Sequence, residues 1–101
     1  MAETGDPVGS ITEELGLLER HVSILKTVRD NQPVGLIRLS EMTGIPKHKV
    51  RYSLKLLEKE GIIRATTEGA VVTDSFEPFM ESMRVHLDDI TREIERIVKL
   101  L

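Results

Sequence analysis

The chain contains no cysteine and no tryptophan, and its aromatic side chains are one tyrosine and two phenylalanines in 101 residues. Without cysteine there are no disulfides, no thiolate-ligated zinc and no thiol nucleophile, which fits a reducing compartment. With so few aromatics the core must be aliphatic. No apolar run approaches the roughly 18 residues a membrane-spanning helix needs. The first residues are acidic and lack the apolar segment of a signal peptide, so the expected location is the cytoplasm. No phosphate-cradling glycine loop, zincin motif or nucleophile elbow is present. Ser40 and Ser53 fall inside helical patterns with no histidine base expected beside them, so the sequence offers no basis for an enzyme.

What is present is 31% charged and 40% hydrophobic residues, the balance of one small helix-rich domain. The net charge of −3 is unevenly spread. From Pro46 to Arg64 six basic residues face two acidic ones, a local charge of +4. The first twenty residues carry −4, and Asp74 to Leu101 carry −3. A basic patch on an acidic molecule orients it on a polyanion, although a solvated helix face would have the same composition.

The patch lies in the stretch Leu36–Ile63, which reads as a short helix, a tight turn, a second helix and the start of a strand. Leu36, Leu39 and Met42 can share one helical face. Gly44 suits a residue with positive φ after a helix, and Pro46 suits the first turn of the next one. That helix, about Lys47 to Glu60, aligns Val50, Leu54 and Leu57 on one stripe and ends at Gly61. At about 100° per residue the opposite side holds His48, Tyr52, Lys55 and Lys59, with Lys49 and Arg51 on the flanks. Two helices joined by a short glycine-containing turn, the second with a polar and basic outer face, form a helix-turn-helix. Ile62–Thr66 and Ala70–Thr73, joined through Thr67-Glu68-Gly69, predict a short hairpin after it. Val34 can add a minimal third strand.

The residues Gly44-Ile45, Val50, Leu54, Leu57-Glu58 and Gly61-Ile62-Ile63 resemble the pattern of winged helix-turn-helix transcriptional regulators. The similarity is to the broad MarR-like and ArsR-like group, and within it to small archaeal-type regulators, over roughly Leu25 to Thr73. The resemblance implies a mainly α fold with a small β wing and a role in binding double-stranded DNA. The expected phosphate contacts are Lys49, Arg51, Lys55 and Lys59, with Arg38, Lys47 and Arg64 nearby. The candidates for base edges are His48, Arg51, Tyr52 and Lys55. The wing tip carries Glu68 and no cation, so the wing is expected to touch phosphate weakly or only to brace the recognition helix.

Two long helices flank this unit. Residues 1–9 read as a disordered arm, 10–73 as the winged domain and 74–101 as a C-terminal dimerisation helix. Ser10-Ile11-Thr12-Glu13 is a capping-box pattern opening a helix from about Ile11 to Arg29. Asp74-Ser75-Phe76-Glu77 is a similar start to the last helix. There Phe76, Met80, Met83, Leu87, Ile90, Ile94, Ile97 and Leu101 recur at alternating spacings of four and three, the heptad seam of a coiled coil. A helix of ~24 residues is ~36 Å long, too long for one small domain to bury. The expectation is a homodimer joined through Ile11, Leu15 and Leu18 of the first helix and Met83, Leu87, Ile90, Ile94, Ile97 and Leu101 of the last. His86, Asp89 and Glu93 have the spacing of a helical metal site, but a charge-paired surface explains them as well; no metal or cofactor is expected. A small-molecule effector, which would need a pocket between wing and last helix, is left open. The alternative is a winged-helix protein-interaction module, an adaptor within a larger assembly.

Overall fold

A computed structural model describes residues 6–101. Helix α1 (Pro7–Asn31) starts where proline supplies a pre-set φ and lacks an N–H to be satisfied. The Asp6 side chain caps it by accepting from the Val8 N–H at 3.1 Å. Ser10, the expected cap, is already inside the helix, its N–H donating to Asp6 O at 3.2 Å. Asp6 to Gly9 are therefore cap and helix rather than arm, and residues 1–5 lie outside the described residues. The C-terminal half of α1 buries Ile24, Leu25 and Val28. Leu18 and Val22 are half-buried, while Ile11 and Leu15 remain exposed.

Helix α2 (Leu36–Thr43) places Leu39 in the core and packs Leu36 against it. Met42 is exposed and does not join that face. The turn rests on Gly44 at φ +74°, whose N–H donates to Ser40 O at 2.9 Å. Side chains lock the turn further: Ser40 Oγ donates to Ile45 O at 2.6 Å, and Thr43 Oγ1 accepts from the Ile45 N–H at 3.2 Å. Pro46 is the N-cap of helix α3 (Lys47–Lys59), just outside its first turn, and its carbonyl accepts from the Lys49 and Val50 N–H groups. Helix α3 buries Val50, Ser53 and Leu57, and Leu54 packs part-buried beside them. Gly61, at φ +79°, reverses the chain out of α3, and the Ile62 N–H closes the end by donating to Leu57 O at 3.0 Å.

Strands β1 (Ile63–Thr66) and β2 (Gly69–Val72) pair antiparallel, Ile63 opposite Val72 and Thr66 opposite Gly69. Val34 adds the expected bridge to Ala70, with N–H···O distances of 3.1 and 2.8 Å. Helix α4 (Phe76–Leu100) starts beside this sheet. Its N-cap Ser75 makes no side-chain cap bond, so the expected capping box does not form. Thr73 takes that role: its Oγ1 accepts from the Ser75 N–H at 3.2 Å and donates to Gly61 O at 2.6 Å. Phe76 enters the core beneath the Arg29 guanidinium, which lies 5.3 Å from the ring centroid. Along the α4 seam Met80, Met83 and Leu87 are half-buried, and every residue from Asp88 onward is exposed. The result is a winged helix with a helical arm projecting from it.

Candidate nucleic-acid interface

The core stripe of α3 fixes what its outer face presents. With Val50, Ser53 and Leu57 directed inward, Lys47, His48, Lys49, Arg51, Tyr52, Lys55 and Lys59 are all exposed. These seven side chains sit on one helix of thirteen residues, ~20 Å long. Arg38 is exposed on α2 and Arg64 on β1, so the basic residues of the sequence reading come from three elements, with α3 carrying most of them. None of these cations forms a side-chain ion pair among the described residues. Among the described residues their charge is presented to solvent. The planar groups of Arg51 and His48 and the hydroxyl of Tyr52 can donate to base edges or phosphate oxygens; the lysines act as point charges.

The structure adds three residues that sequence reasoning did not assign to this site. Ser53 is fully buried, the one buried polar residue among those described. Arg20 Nε donates to its hydroxyl oxygen at 3.1 Å, and His21 Nδ1 lies 2.8 Å from the same atom. The serine oxygen, which can accept twice, takes the Arg20 proton and either donates to His21 Nδ1 or accepts from it, according to the imidazole tautomer. Burial, reinforced by the adjacent Arg20 charge, lowers the His21 pKa and favours the neutral imidazole. The pair also reaches the exposed face: the Arg20 guanidinium carbon is 5.6 Å from the Tyr52 ring centroid, and the His21 ring stacks on Tyr52 at 6.3 Å with a 30° interplanar angle. Tyr52 is nonetheless 57% exposed, on the outer side of α3 as expected. The sequence signal for the cluster was Ser53 itself, a polar residue three after Val50 and four before Leu57, within the apolar arc.

One expectation is corrected here. Ser53 does have a histidine beside it, supplied by α1. The hydroxyl is enclosed and held by two side chains, so it joins helices and is not presented to a substrate.

The remaining candidates lie elsewhere. His86 Nδ1 is bonded to Ser82 O at 2.9 Å, Asp89 pairs with Arg92, and Glu93 lies 4.0 Å from Arg96. Among the described residues no group of three or more histidine, cysteine or acidic side chains is gathered as a metal site. No helix among the described residues is long and apolar enough to cross a membrane. A cleft of about 530 Å³ lies between α1 and α4, lined by Val22, Lys26, Arg29, Phe76, Met80 and Met83 among others. The apolar residues expected at a dimer interface lie on the N-terminal half of α1 and along α4, away from the core.

Comparison with known proteins agrees with this geometry. No curated protein matches the chain. Among solved structures, the activation domain of the phage T4 transcription factor MotA superposes with a TM-score of 0.58 at 15% identity, covering 75% of this chain and 82% of that one. At that identity the likeness is one of fold. The family model described as winged helix-turn-helix DNA-binding matches residues 17–64, from the middle of α1 to β1. The chain thus has a winged helix-turn-helix fold, and its residues 17–64 are similar to the winged helix-turn-helix DNA-binding family.

Proposed function

We propose that the protein is a sequence-specific DNA-binding transcriptional regulator that acts as a homodimer in the cytoplasm. The observation that carries this reading is the outer side of α3, where seven polar or basic side chains are exposed while Val50, Leu57 and the hydrogen-bonded Ser53 are buried on the inner side. Placed in a major groove, that face sets Lys49, Arg51, Lys55 and Lys59 against phosphates and His48, Arg51, Tyr52 and Lys55 against base edges. Arg38 and Arg64 extend the phosphate contacts from α2 and the wing, and Lys47 from the first turn of α3. Phosphate neutralisation supplies affinity, and the base-facing groups supply discrimination.

The dimer reading is supported by the exposed and half-buried apolar residues of α1 and α4. Ile11, Leu15 and Leu18 with Met83, Leu87, Ile90, Ile94, Ile97 and Leu101 form a surface that one winged domain leaves open. The proposed assembly is a two-fold bundle of first and last helices, two from each chain, burying more than about 2,000 Å² in total.

Selection of bound sequences from a random duplex pool tests the reading. The expected result is enrichment of a two-fold symmetric site with half-site centres one helical turn, ~10–10.5 base pairs, or a multiple of it apart. A chain that enriches nothing and binds no duplex is instead a protein-interaction module.

A further inference from the structure

Two consecutive residues of α1 grip two consecutive residues of α3. Arg20 and His21 both reach the buried Ser53 hydroxyl, at 3.1 and 2.8 Å, and both lie against the exposed ring of Tyr52. One end of the clamp is therefore in the core, and the other is on the face assigned to DNA.

We propose that Arg20 and His21 are positioning residues for DNA readout: by gripping Ser53 and flanking Tyr52 they hold the tyrosine in one pose, and that pose sets which base sequences are preferred. The proposal rests on the DNA-binding reading above. An unsupported tyrosine on a helix surface exchanges between rotamers near −60° and 180°. A contact that needs one pose is weakened in proportion to the time spent in the other. The guanidinium over the ring and the stacked imidazole both favour the observed pose. Arginine suits the position because Nε can bond Ser53 while the planar group stays over the ring; a lysine ammonium cannot do both. The bonds to Ser53 also resist rotation of α3 about its axis, since a shift of about 1 Å takes either bond beyond hydrogen-bonding range.

The test uses the full chain and the duplex recovered by selection, with variants of that duplex each changed at one base pair. Affinities are measured at one salt concentration, and salt slopes and melting curves are recorded for every protein. Tyr52→Ala identifies the base positions that Tyr52 reads. Arg20→Lys keeps the charge and loses the fork; His21→Leu removes the polar partner of Ser53, and His21→Asn keeps a group able to accept or donate near the Nδ1 position. The expected result is a loss of discrimination of at least about fivefold, the low end for a mismatched base pair, at the Tyr52 positions in Arg20→Lys and His21→Leu. The Arg20→Lys salt slope should stay unchanged, His21→Asn should recover discrimination, and neither loss should add to that of Tyr52→Ala. Native discrimination in folded Arg20→Lys and His21→Leu, or losses that add fully to Tyr52→Ala, overturns the clamp while leaving the DNA reading intact. Failure of the native chain to bind any duplex overturns both. Because a variant can lose its fold, a second measurement uses the native chain: Tyr52 is the only tyrosine, so its ring protons are unambiguous in NMR spectra. Their nuclear Overhauser contacts to Arg20 and His21 must persist in the DNA complex, and their disappearance on binding overturns the proposal.

Discussion

Replacing Ile94 by aspartate should dissolve the proposed dimer while leaving the winged domain folded. Ile94 lies on the α4 seam between Ile90 and Ile97; the three are 45%, 40% and 57% exposed, and no core residue covers the far end of the helix. Burying the remaining half of an isoleucine side chain contributes about 1 kcal/mol. Placing an unpaired carboxylate in the same interface costs at least about 1–3 kcal/mol more. Two-fold symmetry doubles both quantities, so Ile94→Asp should cost the dimer about 4–8 kcal/mol. At 1.4 kcal/mol per tenfold, the dissociation constant rises about a thousandfold or more. Val85→Asp is the control: it places the same charge on the same helix, at an exposed position on the side opposite the seam. Sedimentation equilibrium at micromolar concentration should show a dimer for the native chain and Val85→Asp, and a monomer for Ile94→Asp and for a chain truncated after Arg84. A monomeric native chain, an undiminished dimer after truncation, or equal dissociation by both aspartates would refute the reasoning.

Three further outcomes concern the fold that carries the interface. Leu57→Ala truncates a buried α3 side chain and should cost about 2–5 kcal/mol in urea unfolding, more than the same change at part-buried Leu54. Gly69→Val should destabilise the wing and reduce hydrogen-exchange protection of the Val34 amide, because φ there is +134° and an added Cβ would lie 2.6 Å from the Val34 carbonyl carbon. The lowered His21 pKa means that the unfolded chain binds the proton more tightly than the folded one. The contribution of His21 is therefore full above the unfolded value near 6.5 and is lost as pH falls through the folded value, so stability should rise with pH across that window. Thermal melts of native and His21→Asn chains between pH 5 and 8 should differ in that slope.

The core of the winged domain was legible because periodicity and turn chemistry agree there. Val50 and Leu57 give the inward face of α3, and Gly44 and Gly61 occupy positions that require positive φ. Once that face is set, exposure of Lys55 and Tyr52 follows from helical geometry alone. Helix starts were less legible, since Ser10 and Asp74-Ser75 have capping chemistry but competing groups act first. Asp6-Pro7 opens α1 earlier, and Thr73, already tied to Gly61, receives the Ser75 N–H. The Arg20–His21–Ser53–Tyr52 cluster was not legible as a unit. It joins positions more than thirty residues apart, and nothing in local spacing says which residues of α1 meet which turn of α3. Ser53 showed only that the apolar arc had a polar member in need of a partner.

The central claim, that the basic face of α3 binds DNA, is tested most directly by duplex affinity as a function of salt. Fluorescence anisotropy of the selected duplex should give log K falling linearly with log salt, and Lys49→Ala and Lys55→Ala should each reduce the slope by about one unit while weakening all sequences alike. An affinity indifferent to salt, or no binding to any duplex, would contradict it.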